Sequence, residues 1–180
     1  MTDFLSDMSI AQHKDYVRNM RLKYSILEKS IPDLAGKDIS DIRRMRIPFS
    51  EREYAISLLA DIRLHDIFFS SFSPTPYRRL SYVQRGYLSE ASLLDEIYKK
   101  ATGVRGGFLT VGIKRGKTEV SVSDDCASLF ENKEPILAID LCEHAYFLDY
   151  AFSNEKYVES ALPYLDLSRL TGTTNENYGG

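Results

Sequence analysis

A chain of 180 residues, 43% hydrophobic and 27% charged, is long enough to bury a core as one or two small domains. Its formal net charge of -3 and the lack of a long basic run argue against a nucleic-acid partner. No apolar run reaches the roughly 18 residues that a membrane-spanning helix needs, and the acidic segment Met1–Met8 lacks an apolar signal core, so a cytoplasmic location is expected.

The first pattern runs from Ile10 to Leu27, where Ile10, Val17, Met20, Tyr24 and Leu27 recur at helical steps with His13 filling the gap. Ile31-Pro-Asp-Leu-Ala-Gly36 stops that helix, and a short one follows around Ile39–Arg46. Ser50-Glu-Arg-Glu53 has capping-box spacing and predicts the start of a second long helix, with the stripe Tyr54, Leu58, Ile62, His65, Phe69 and Phe72. Two such helices joined by a loop must bury their stripes together, which predicts an antiparallel helical hairpin.

Pro74 and Pro76 break the pattern, and a boundary is expected between residues 73 and 88. Ser89–Ala101 reads as a helix ending at Thr102-Gly103. Phe108–Ile113 and Thr118–Val122 read as a β-hairpin around Lys114-Arg-Gly-Lys117, and Pro135–Ile139 as a buried third strand. Helices are predicted over Leu141–Phe152 and Glu155–Leu165. The predicted class is α+β: a helical-hairpin domain over 1–80, an α/β domain with a three-stranded antiparallel sheet over 81–170, and a flexible tail over 171–180. The two cysteines, Cys126 and Cys142, form no CxxC pair and are expected to be buried free thiols.

The stretch that could carry chemistry is the junction of the third strand with its helix. A strand ending in Asp140 sets a carboxylate at the edge of the core, and His144, about one helical turn on, can point the same way, so that the two could share a transition metal. Asp140 and Glu143 also have capping-box spacing, a structural role that competes with the metal-binding one.

The longer string Glu134-Pro-Ile-Leu-Ala-Ile-Asp140-Leu-Cys-Glu-His144-Ala-Tyr-Phe-Leu-Asp-Tyr150, followed by Tyr157, resembles the C-terminal signature of the iron/manganese superoxide dismutases. In that family the aspartate and the histidine four residues on are metal ligands, which falls on Asp140 and His144. Cys142 stands where the family has a tryptophan, and Phe147 where it has a second tyrosine. Leu64-His-Asp-Ile-Phe-Phe69 resembles the segment carrying a further ligand, which falls on His65, and Gly106-Gly-Phe-Leu109 resembles the turn into the family's sheet. His13-Lys-Asp-Tyr16-Val-Arg-Asn19 resembles the family's first-helix motif, and Tyr16 falls on the tyrosine at the substrate entrance.

The resemblance breaks at the first ligand. In the register set by Tyr16 and Asn19 the ligand histidine belongs eight residues before Tyr16, and Met8 stands there. A thioether suits iron or manganese poorly. Either the metal is left with His65, Asp140 and His144, or His13 supplies a fourth ligand through a shifted helix. The family's water-orienting glutamine falls on Asp61 or Asp125, where a carboxylate would favour an oxidised metal.

What the resemblance implies is dismutation of superoxide to dioxygen and hydrogen peroxide at iron or manganese, an antioxidant oxidoreductase activity. It also implies a homodimer through the region of Glu143. The departures at Met8, at the glutamine and at the tryptophans imply two alternatives. One is a non-catalytic protein of the same fold, acting as a structural or interaction module; the other is a different non-haem iron activity.

Overall fold

A computed structural model describes residues 3–76, 89–131 and 133–170. Helix α1 spans Asp7–Ser30; the Ser6 side chain accepts from the Ser9 amide and caps it. Its buried positions Ser9, His13, Val17 and Met20 lie three or four apart and form one narrow stripe. The helix ends at Ser30, since Pro32 cannot continue it, and Pro32–Leu34 form a single 3-10 turn. Helix α2, Ile39–Arg44, carries a capping box between Asp38 and Asp41.

Helix α3 spans Phe49–Ser70, and its start corrects the expectation at Ser50. Pro48 occupies the cap position and no side chain caps the helix; the Pro48 carbonyl accepts the first helical bond, from Arg52 at 3.0 Å. Ser50 already lies inside the first turn, so the capping box does not form. The stripe also begins later than predicted, because Tyr54 is exposed while Leu58, Ile62 and His65 are buried. Helix α3 packs on both α1 and the sheet, so residues on other faces, Ala60, Leu64 and Phe68 among them, are buried too. A single stripe understates a helix covered on two sides.

The start of α1 lies at the end of α3: the His13 ring packs on Phe68 and Phe69, and Val17 and Met20 pack with Ile62. The hairpin is therefore antiparallel, as predicted. The expected boundary at 80–81 and the tail over 171–180 lie outside the described residues.

Helix α4, Glu90–Thr102, begins at a capping box of Ser89 with Ser92 and stops at Gly103. Strands β1 (Phe108–Lys114), β2 (Lys117–Ser123) and β3 (Pro135–Asp140) form an antiparallel sheet in the order β2-β1-β3. The hairpin turns through Arg115 and Gly116, both at positive φ, the two-residue connection that matches strand twist. Phe108 pairs with Asp140, which sets the register at the end of β3. The largest hydrophobic core gathers Leu64 and Phe68 of α3, Leu93 and Ile97 of α4, and Leu109, Val111, Leu137 and Ile139 of the sheet.

Helices α5 (Glu143–Tyr150) and α6 (Asn154–Ala161) are each shorter than predicted, separated by Ala151 at φ 51. The capping box expected between Asp140 and Glu143 does not form. Cys142 is the cap residue, and Asp140 Oδ1 accepts instead from the Cys142 amide at 2.8 Å. That bond is a local turn closure, and it leaves Oδ2 of Asp140 for other partners. Among the described residues no helix is long and apolar enough to cross a membrane.

Candidate metal centre

Strand β3 runs through the core and ends in Asp140, whose side chain is fully buried. Gly107 fixes this junction from the neighbouring strand. Its carbonyl accepts from the Leu141 amide at 2.9 Å, and its amide donates to Cys142 Sγ at 3.2 Å. Its φ is +76, and a Cβ there would lie 2.3 Å from the Ser123 carbonyl oxygen, so only glycine fits. His144 sits in the first turn of α5 with 30% of its side chain exposed. His65 comes from the middle of α3 and His13 from the buried stripe of α1, both closed off from solvent.

The three imidazoles surround one carboxylate oxygen. Asp140 Oδ2 lies 2.9 Å from His144 Nε2, 3.1 Å from His13 Nε2 and 3.3 Å from His65 Nε2. His65 and His144 approach each other to 3.4 Å through the same nitrogens. One donor atom from each of the four residues lies within 4.8 Å of all the others. Yet His13 Nε2 and Asp140 Oδ2 are buried with no hydrogen-bond partner among the described residues, although their distances suit an ion pair. Unpartnered buried polar atoms are costly. Two ligands on one ion, each about 2.0–2.2 Å from it, stand no more than roughly 4.4 Å apart. The separations of 2.9–3.4 Å meet that limit and the full span of 4.8 Å lies close to it, so this set of one oxygen and three nitrogens suits a mononuclear transition metal after a small inward adjustment.

The electrostatics follow from the crowding. Burial alone would raise the Asp140 carboxyl, but His13, His144 and His65 hold it well below the usual carboxylate range. Burial lowers His13, and its contact with Asp140 does not make up the loss. Burial would lower His65 too, but Asp140 and Asp61 outweigh it and raise it to about 9.

The structure brings His65, Asp140 and His144 together, and it also brings in His13. Met8, where the Tyr16 register would put a ligand, is 71% exposed and faces away from the cluster's closed interior. His13 lies five residues later on α1, on its buried stripe. The Tyr16 ring stacks on His144, with centroids 4.3 Å apart. Its hydroxyl is pushed up to about 12, by burial first and then by the charges of Asp61 and Asp140. Phe68 and Phe69 cover His13, and Phe108 meets His65 edge-on.

Of the two positions read as alternatives for the glutamine, Asp61 is at the cluster, with Oδ1 3.2 Å from His65 Nδ1. Asp125 instead caps a short 3-10 helix, Cys126–Phe130, by accepting from the Ala127 amide. Its neighbour Cys126 is the residue that reaches inward, with Sγ 3.8 Å from Asp61 Oδ1. Cys126 was read only as a structural thiol; no spacing rule links two residues that lie 65 positions apart. Cys126 and Cys142 are both free and half-buried. Burial raises both thiols, Cys142 to about 12.

A family model described as iron/manganese superoxide dismutases, C-terminal domain, matches residues 79–171, the part that holds Asp140 and His144. The chain is similar to the iron superoxide dismutase of Campylobacter jejuni, 25% identical over 178 residues, with 87% of this chain and 76% of that protein covered. The iron superoxide dismutase of Campylobacter coli is 26% identical over 180 residues at the same coverage. The manganese superoxide dismutase of Listeria ivanovii is 28% identical over 103 residues, with 53% and 51% covered.

Proposed function

The chain belongs to the iron/manganese superoxide dismutase family, and on that premise we propose that it converts superoxide to dioxygen and hydrogen peroxide at one iron or manganese ion. The observation that carries this reading is the meeting of His13, His65, Asp140 and His144 around a buried oxygen that lacks a hydrogen-bond partner. These four residues would hold the ion. Once bound, it would supply a one-electron couple that takes an electron from one superoxide and returns it to a second.

The chain's own residues supply the rest. Three imidazoles and one carboxylate offset only one unit of a bound cation's charge, so the site stays attractive to an anion. His13, His65 and Asp140 are closed off from solvent, whereas His144 and Tyr16 are partly exposed. A small anion therefore reaches the centre past the Tyr16 ring. With its hydroxyl held to about 12, Tyr16 keeps its proton at neutral pH and can donate a hydrogen bond to an incoming anion. Phe68, Phe69 and Phe108 leave the buried histidines no other polar neighbour on those faces.

The same reading makes the protein a homodimer through the Glu143 face. Phe147, Leu148 and Phe152 are exposed on and just after α5, an apolar surface that a second copy would cover. Two free thiols accord with a reducing, cytoplasmic setting. Sedimentation of the full chain tests the dimer, and Phe147→Glu is expected to yield a monomer.

The deciding experiment measures iron and manganese per chain, after purification and after reconstitution, together with superoxide dismutation. About one equivalent per chain with dismutation is expected. Less than about a tenth of an equivalent after reconstitution overturns the reading and leaves a non-catalytic member of the family.

A further inference from the structure

The His13 ring has no hydrogen bond of its own among the described residues, so its place at the centre depends on how α1 is turned about its axis. An α-helix turns by about 100° per residue. Ser9 and His13, four positions apart, therefore lie about 40° apart around α1, whereas Met8 and His13 lie about 140° apart. Whatever holds Ser9 inward also holds His13 inward and turns Met8 out, which is the observed burial. Val17 and Met20 fix this phase after His13 by packing with Ile62. Before His13 the helix is at its end, where it would otherwise fray.

That end is gripped from α5. The Ser9 hydroxyl donates to Asp149 Oδ2 at 2.7 Å, and the same oxygen accepts from the Ser6 amide at 2.9 Å. The next residue, Tyr150, donates its hydroxyl to the Phe4 carbonyl. Asp149 and Tyr150 close α5, whose first turn carries His144. One helix thus presents a donor at its start and holds the start of α1 at its end. A carboxylate suits that position, because the first amides of a helix lack partners and carry partial positive charge. Burial would raise the Asp149 carboxyl, but the bonds from Ser9 and Ser6 hold it below the usual carboxylate range.

We propose that Asp149 is a positioning residue for His13: by gripping Ser6 and Ser9 it fixes the phase of the opening of α1, so that His13 and not Met8 meets Asp140. The proposal rests on the reading that His13 is a ligand. Asp149 touches neither substrate nor metal; it acts through the helix that carries the histidine.

Asp149→Ala, Asp149→Asn and Ser9→Ala test it in the full chain. The chain has only 3 histidines, so their ring signals can be followed by NMR in the metal-free protein, and Mn(II) is then titrated in. In Asp149→Ala the His13 signals should shift and broaden while those of His65 stay as in the parent, and Mn(II) should bind roughly tenfold more weakly. Asp149→Asn keeps an acceptor oxygen in the same place and should restore most of both. Ser9→Ala removes one of the two bonds and should fall between; it decides the matter if Asp149→Ala does not fold. In a His13→Ala background, Asp149→Ala should change Mn(II) affinity by no more than about twofold. The proposal is overturned if the His13 signals do not move, if those of His65 move as much, or if the loss of affinity persists undiminished without His13. A lowered thermal midpoint with unaltered affinity overturns it too. If the parent takes up no Mn(II), the functional reading fails, and the ring signals still judge whether Asp149 places His13.

Discussion

The helical hairpin and the sheet half of the molecule each place two donors at the cluster, yet they hold them in different ways. Asp140 stands at the end of a strand packed on Leu109, Leu137 and Ile139, with Gly107 clasping the backbone beside it and Cys142 fixing one of its oxygens. In the hairpin, α1 meets α3 through two small clusters, Val17 and Met20 with Ile62, and half-buried Tyr24 and Leu27 with Ile56 and Ala60, while its outer residues Leu22 and Ile26 are exposed. His13 is held by its packing on Phe68 and Phe69 and its approach to Asp140, and neither ring nitrogen has a hydrogen-bond partner among the described residues. The sheet half thus fixes its donor through backbone hydrogen bonds and core packing, whereas the imidazole of the α1 donor is held mainly by ring contacts.

Removing donors one at a time is the strongest way to break this contrast. Asp140→Asn takes away the only carboxylate of the set and leaves three imidazoles facing a neutral amide. Losing one partner of a buried charged group costs roughly 3–5 kcal/mol, or about a hundredfold to several thousandfold in metal affinity. His13→Ala should cost less but still tenfold or more, since even an outer partner is worth that much. Met8→His should restore nothing in the His13→Ala background, because residue 8 is exposed. Metal content by atomic emission decides among these, and recovery by Met8→His would return the ligand to the register first suggested by Tyr16.

Packing supplies the next test. Ile139 is fully buried in the sheet core, so Ile139→Ala should destabilise the protein by about 2–5 kcal/mol. Ile62→Ala, between the two long helices, should fall at the low end of that range. Ile26→Ala on the outer face of α1 should stay within about 0.5 kcal/mol. Urea denaturation of the metal-free proteins measures all three. Equal losses at Ile139 and Ile62 would mean that the hairpin is as tightly built as the sheet.

The contrast between the halves also explains what could be read from the sequence. The order of elements, the hairpin register at Lys114–Lys117 and the strand ending in Asp140 all follow from local pattern, because a buried strand and a tight turn leave little freedom. His65, Asp140 and His144 could be named only through the resemblance to the family's motifs, since spacing alone leaves a capping role for Asp140 and a core role for His65 open. What local pattern misjudged was capping and phase. Ser50 and Asp140 both have cap spacing, but Pro48 starts α3 earlier, and Asp140 closes its turn on Cys142. The motif around Tyr16 pointed to Met8, whereas the buried stripe of α1 already contained His13. On a helix the burial phase decides which residue faces inward, and here it outranks motif register. The approach of Cys126 to Asp61 could not be read at all, since it depends on how a loop folds over α3.

A third test uses protons in place of mutations. His65 is raised to about 9 in the metal-free protein, so near neutral pH a metal must displace its proton. Metal affinity should therefore climb up to about tenfold per pH unit as pH rises toward 9, then level off above it. Titration with Mn(II) at several pH values checks this. A flat profile below 9 would show that His65 is already free of its proton, and so less strongly engaged by Asp140 and Asp61 than their distances imply.

The smallest expected effect concerns Tyr16, where the hairpin lies against the sheet half through the stacked His144 ring. Its hydroxyl moves from 10.0 to about 12 in the folded protein, so folding favours the protonated phenol. The stability this contributes is present in full below pH 10 and is lost as pH rises from 10 toward 12. An absorbance titration at the phenolate band should show Tyr16 ionising late, as the buried Tyr157 does, and Tyr16→Phe should remove one of the late steps. If instead the missing step lies near 10, the ring is not held against His144 in solution, and the two halves meet more loosely at the mouth than at the donors behind it.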